Sequence, residues 1–181
     1  HGLIGKRTTI HPVNLNLAKM PDTINPFYGA PQSIYSDHFQ WPDTDEMGFK
    51  LEVPHIQPVM GGQIAGFHGV QLTETMENLP NLQGTLALMR DGFSEESQGG
   101  TVELDHTGKP ILDYPVTDYL WKGLRKAHHV TAERPLAAGA KTVKPLHMDA
   151  SFYTSLAQCK QAIDTLPQEL FRQRIMTAHL M

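Results

Sequence analysis

Between Leu82 and His147 apolar runs and turn-forming residues follow one another closely enough for the elements to be read in series. Gln83-Gly84-Thr85-Leu86-Ala87-Leu88-Met89-Arg90-Asp91 is an apolar run bounded by Gly84 and by Asp91-Gly92, which predicts a buried strand. In Gly100-Thr101-Val102-Glu103-Leu104-Asp105, Val102 and Leu104 alternate with polar neighbours, the pattern of a half-buried strand. Thr107-Gly108-Lys109-Pro110 supplies a turn, and Ile111-Leu112-Asp113-Tyr114-Pro115-Val116 returns antiparallel to it. A helix follows from Thr117. Thr117 or Asp118 can cap its first amides, and Leu120, Leu124, Ala127 and Ala132 are spaced for one apolar face. Gly139 can take the left-handed conformation that ends a helix, and Lys141 to Leu146 leaves as a short strand.

Upstream, Val13 to Lys19 alternates apolar with polar and reads as a strand, with Gln32 to Phe39 as its expected partner across a Pro- and Gly-bearing loop. Trp41 to Gly48 reads as loop and Phe49 to Val53 as strand. Met60 to Leu72 is expected to be one helix held by close packing, with Thr73 to Asn78 as its polar exit. Its four glycines each cost about 1 kcal/mol of helix propensity relative to Ala, but no strand alternation competes. Downstream, Met148 to Ser155 reads as loop, Leu156 to Leu166 as a short helix, Pro167-Gln168 as the start of another helical turn, and Arg174 to Met181 as a final strand or arm. The sum is an α+β domain: a largely antiparallel sheet of about five or six strands with helices packed mainly on one face.

A chain of 181 residues suits one domain. No apolar run is long enough for a membrane-spanning helix. The net charge is -4 and the basic residues are scattered, so the electrostatic footprint of a nucleic-acid binder is missing. Cys159 is alone, which excludes an internal disulfide; it reads as a small buried hydrophobe, and a cytoplasmic home is compatible with it. No dinucleotide fingerprint, Walker loop or Gly-x-Ser-x-Gly elbow occurs. The ten histidines do not have the spacing of a metal centre. His128 and His129 diverge by about 100° on a helix and read as packed or solvated. His38, His55, His68, His106 and His147 have no sequence-local partner.

The order of these segments resembles the substrate domain of glucose-methanol-choline (GMC) oxidoreductases. The resemblance rests on a strand ending in Arg90-Asp91, a Gly-led strand carrying Val102, Gly108-Lys109-Pro110, the Asp113-Tyr114-Pro115-Val116 turn, and a helix ending Ala137-Ala138-Gly139-Ala140. Gly5-Lys6-Arg7-Thr8-Thr9-Ile10-His11-Pro12 is similar to the family's His-Pro segment, and Gly29 to Phe39 agrees with it too. The resemblance implies an FAD-dependent, choline dehydrogenase-like alcohol dehydrogenase or oxidase. It implies that 1-181 is a single excised substrate-binding domain, with 1-12 and 174-181 connecting to an FAD-binding domain of the same chain. The piece would then hold no FAD and be inactive by itself.

The resemblance also singles out His179, since Ala178-His179-Leu180-Met181 is similar to the opening of the family's active-site histidine segment. A neutral imidazole within roughly 3 Å of an alcohol hydroxyl can accept its proton while the flavin takes the hydride. His55, Phe67 and Trp41 are the candidates for lining the substrate pocket. The face turned to the FAD-binding domain should leave an apolar patch, so self-association through an exposed interface is expected. The alternative is a self-sufficient small-molecule binding or assembly domain without redox activity.

Overall fold

The protein is described here from a computed structural model, which covers residues 2–146, 150–168 and 177 and, for the backbone alone, the rest of the strand at 176–180. The elements in chain order are β1 (Lys6–Thr8), β2 (Ile10–Lys19), β3 (Tyr35–Ser36), β4 (Phe49–Glu52), α1 (Pro58–Ala65), α2 (Gly69–Glu77), β5 (Leu82–Met89), β6 (Gly100–Leu104), β7 (Pro110–Asp113), α3 (Asp118–Ala137), β8 (Thr142–Pro145), α4 (Leu156–Asp164) and β9 (Met176–Leu180). The fold is α+β, with two antiparallel sheets.

The larger sheet runs β3-β4-β5-β2-β8, and β9 also pairs with β2. β2 is its axis. One edge pairs with β5 from Val13↔Leu88 to Lys19↔Leu82. Along the other edge β8 takes Asn16 to Lys19, and β9 takes Ile10 to Val13. The expected partnership of Val13–Lys19 with Gln32–Phe39 is therefore wrong. That segment supplies only β3, which pairs with β4 through Tyr35↔Glu52 and Ser36↔Leu51. The loop after β2 is held elsewhere. Met20 N–H donates to the Asn81 carbonyl at 2.9 Å, and Ile24 and Asn25 N–H both donate to the Pro80 carbonyl at 2.8 Å. Those bonds tie the loop to the start of β5, which pairs with β2 from Lys19 back to Val13.

The single helix expected over Met60–Leu72 is also corrected. α1 stops at Gly66, which is left-handed with φ 67°, and a new helix begins at Gly69 and runs through the expected exit to Glu77. Gly66 takes this conformation without a Cβ clash, so a second axis direction becomes available after two linking residues.

Both faces of the larger sheet are covered. Met47, Phe49, Leu51, Ala87 and Met89 pack under Leu120, Leu124 and Ala127 of α3. Farther along that face Ala18 and Val143 meet Ala132 of α3 with Cys159 and Ile163 of α4. The alternate positions Leu17 and Leu82 face the other way, onto Ile56, Leu79, Ile64 of α1 and Met76 of α2. α3 starts as read: Thr117 Oγ1 accepts from Leu120 N–H at 3.2 Å, and Gly139 beyond its end has φ 95°. Among the described residues no helix is long and apolar enough to cross a membrane.

The smaller sheet, β1-β6-β7, is the hairpin read from sequence with β1 added along its far side. Residues 1–12, expected as a connection, include β1 and the start of β2; of 174–181, residues 176–180 form β9.

Candidate functional site

β9 brings the two ends of the described chain together. It runs antiparallel to β2 with Val13↔Met176, Pro12↔Thr177 and Ile10↔Leu180, and the register shifts between Ile10 and Pro12. Pro12 has no N–H to give a ladder, and an irregularity beside it is where a sheet accepts proline. His11 N–H donates to Thr177 Oγ1 at 3.1 Å and ties the shifted strand in place. The backbone of His179 thus lies alongside the His11 segment of β2. The side chain of His179 lies outside the described residues.

The pocket candidates separate. His55, in the segment leading from β4 to α1, lines a hollow of about 160 Å³ with Ile24, Pro26, Tyr28, Ile34 and Pro54. Its Nδ1 is 3.3 Å from Gln57 Nε2, and its Nε2 is buried without a hydrogen-bond partner. Trp41 is 67% exposed and lies flat on a cation, with the Arg90 guanidinium carbon 3.5 Å from its ring centroid. On its other contact that guanidinium is 4.4 Å from the Phe93 ring, and Arg90 Nη1 donates to the Gln40 carbonyl at 3.0 Å. Burial lowers the Arg90 pKa from its usual value. Arg90 and Phe93 border a cleft of about 460 Å³ whose rim includes Glu46, Glu95 and Tyr119.

Phe67, in the link between α1 and α2, stacks neither with Trp41 nor with His55. Its ring centroid is 6.1 Å from that of Phe152, and Lys144 Nζ sits 4.8 Å from its own centroid. Lys19 Nζ lies 4.4 Å from the Phe152 ring, so two lysines and two rings alternate on the α1 face of β2 and β8. Lys144 is 3% exposed, and burial pushes its pKa down to about 8. The hollow that His55 lines is bordered by neither Phe67 nor Trp41.

Sequence reading missed Lys144 and a buried polar layer beneath α3. Asn14 and Asn16 are each 1% exposed and belong to the face of β2 that α3 covers. Asn16 Nδ2 donates to Thr131 Oγ1 at 2.5 Å and to the His128 carbonyl at 3.3 Å, and Thr131 Oγ1 donates to the Ala127 carbonyl at 2.8 Å. The signal was available in part. Two asparagines two positions apart in a strand share a face, but only the fold says which face is covered.

The two helix histidines, expected to be packed or solvated, differ: His128 is buried and His129 half-buried. His128 is 1% exposed. His129 Nε2 lies 3.0 Å from Asp164 Oδ1. Arg125 Nη2 donates to the same oxygen at 2.7 Å, and this bond chiefly lowers the Asp164 pKa. Cys159 is fully buried, and burial raises its thiol pKa to about 11, so the thiolate needed for reactivity is suppressed. Among the described residues no group of three His, Cys, Asp or Glu side chains could hold a metal ion.

No known protein-family model matches the chain, and no curated protein matches it.

Proposed function

We propose that the chain is the substrate-binding side of an FAD-dependent alcohol oxidoreductase of the GMC type, with His179 as the acceptor of a hydroxyl proton. One observation carries the reading. Pairing of β9 with β2 sets the Ala178-His179-Leu180 segment beside the Ile10-His11-Pro12 segment, two histidine-bearing stretches that are each similar to segments of the family. They are separated by most of the chain and come together only through the sheet.

The described residues do not fit the flavin itself. The turn after β5 is Asp91-Gly92 and leads to a hairpin, whereas a pyrophosphate cradle needs a glycine-rich turn from a strand into a helix. Flavin binding is therefore assigned outside these residues, and no reaction step is derived through it. What this chain would contribute is a proton acceptor at the end of β9 and walls that orient an alcohol and exclude water.

The test is spectroscopic. The full reading frame is expressed, and its visible absorbance is followed during anaerobic addition of simple primary and secondary alcohols. A yellow protein bleached by an alcohol supports the reading; a colourless full-length product refutes it.

A further inference from the structure

Among the described residues no strand pairs with the outer edge of β7 in the smaller sheet, and the hydrogen bonds on its other strands tell which groups face outward. Val102 N–H donates to the Gly5 carbonyl at 2.7 Å, which is away from β7. Val102 and its cross-strand neighbour Leu112 are therefore a non-hydrogen-bonded pair. Asp105 N–H donates to the Lys109 carbonyl at 2.8 Å and sets the same alternation from the turn. The Leu112 N–H and C=O and the Pro110 C=O thus point out of the sheet. Pro110 sits where a missing N–H costs no internal bond. All four residues of β7 are exposed, Ile111 at 54% and Leu112 at 37%, and Leu104 across from Pro110 is 70% exposed.

We infer that this edge is a self-association surface, on which β7 of a second copy of the chain adds antiparallel across a two-fold axis at Ile111. In that register the two Ile111 side chains meet as a close non-hydrogen-bonded pair. Lys109 stands opposite Asp113 of the second copy, twice by symmetry, and each Leu112 N–H meets the other copy's Pro110 C=O. Shifting the axis to Leu112 keeps the number of backbone bonds but sets Ile111 opposite Asp113, so the side chains select the first register. The charges of this strand are complementary to their own reversal, which favours a second copy over an unrelated edge. The paired sheets become one continuous six-stranded surface with Leu104 and Leu112 of both copies on a common face. The inference stands apart from the flavin reading and needs no cofactor.

Sedimentation velocity of the protein over a range of concentrations, at low and high salt, tests it. The wild-type chain should dimerise, more weakly as salt screens the Lys109–Asp113 pairs. Leu112→Pro removes an outward donor and should raise the dissociation constant at least about tenfold without lowering the melting temperature. Lys109→Asp and Asp113→Lys should each weaken the dimer, and the two together should restore it. A monomer at every concentration overturns the inference. So does a dimer that neither Leu112→Pro nor the charge reversals disturb.

Discussion

Lys144 Nζ lies 4.8 Å from the centroid of the Phe67 ring, and among the described residues no carboxylate forms an ion pair with it. A ring face compensates a desolvated ammonium by about 2 kcal/mol or more, which leaves part of the cost of burial standing here. The rest of the cost is visible in the pKa, which burial lowers to about 8 from the ordinary 10.5.

The sign of the consequence follows from proton counting. Between about pH 8 and 10.5 the unfolded chain holds a proton on Lys144 that the folded chain has released, so stability from this group rises with pH across that window. Below it the full cost of the buried charge is present. Lys144→Met should therefore stabilise the protein at pH 7, by up to about 3 kcal/mol, and abolish that part of the pH slope. Urea denaturation of both proteins at pH 7 and pH 10 measures this. A Met variant less stable than wild type at pH 7 would mean that the ammonium is net stabilising.

The buried bond from Asn16 Nδ2 to Thr131 Oγ1 makes a second prediction. Thr131→Val keeps the shape and removes the acceptor, leaving a buried amide short of a partner at a cost of about 1–3 kcal/mol. Adding Asn16→Leu should recover part of that loss, since both polar partners are then gone. A double-mutant cycle by thermal unfolding reads the coupling, and strictly additive losses would show that the two side chains act independently.

At Gly123 the expected sign reverses a general rule. Ala for Gly inside a helix ordinarily gains about 1 kcal/mol. Here an added Cβ would lie 2.8 Å from Met47 Cβ and 3.0 Å from Met89 Cε. Met89 can swing its methyl aside, but Met47 Cβ is fixed to backbone. Gly123→Ala is expected to destabilise by about 1–2 kcal/mol net, through overpacking between α3 and the sheet. An unchanged or raised melting temperature would show that α3 can lift away.

For the proposed catalysis, His179→Ala in the full-length enzyme should lower turnover at least ~100-fold while flavin content is unchanged, as expected on removal of a proton acceptor. Raising the pH should recover part of the lost rate if the alcohol then ionises without help. Near-normal turnover at neutral pH would remove His179 from the mechanism.

Much of the local structure was legible in the chain. The cap at Thr117, the stripe of Leu120, Leu124 and Ala127, the turn before Pro110 and the left-handed Gly139 each depend on neighbours a few residues away, and each is found as read. Gly66 shows where local reading stops. Four glycines said that a helix there was weakened, but not which of them would end it: Gly66 turns left-handed, while Gly61 stays helical, packed so that a Cβ would meet Ile56 at 3.0 Å.

The candidate site was less legible, because its parts are defined by strand partners. Alternation over Val13–Lys19 normally means one face in water. β2 has helices on both sides, so Asn14 and Asn16 are buried, and the Asn16 amide finds its partners within α3. His55, Phe67 and Trp41 were chosen as residue types that line pockets, and the fold sends them to three separate surroundings.

By itself the sequence determined that β2, β4 to β7 and α3 extend or coil where they do, and where α3 is capped and ends, since those preferences act over a few bonds and a few side chains. Which strand lies beside which, and hence that β5 and β9 flank β2, that Lys144 is dry, and that His179 comes alongside His11, was decided only by the tertiary structure. Pairing over such separations is settled by the total apolar area that the whole chain can bury at once, and no local window contains that quantity.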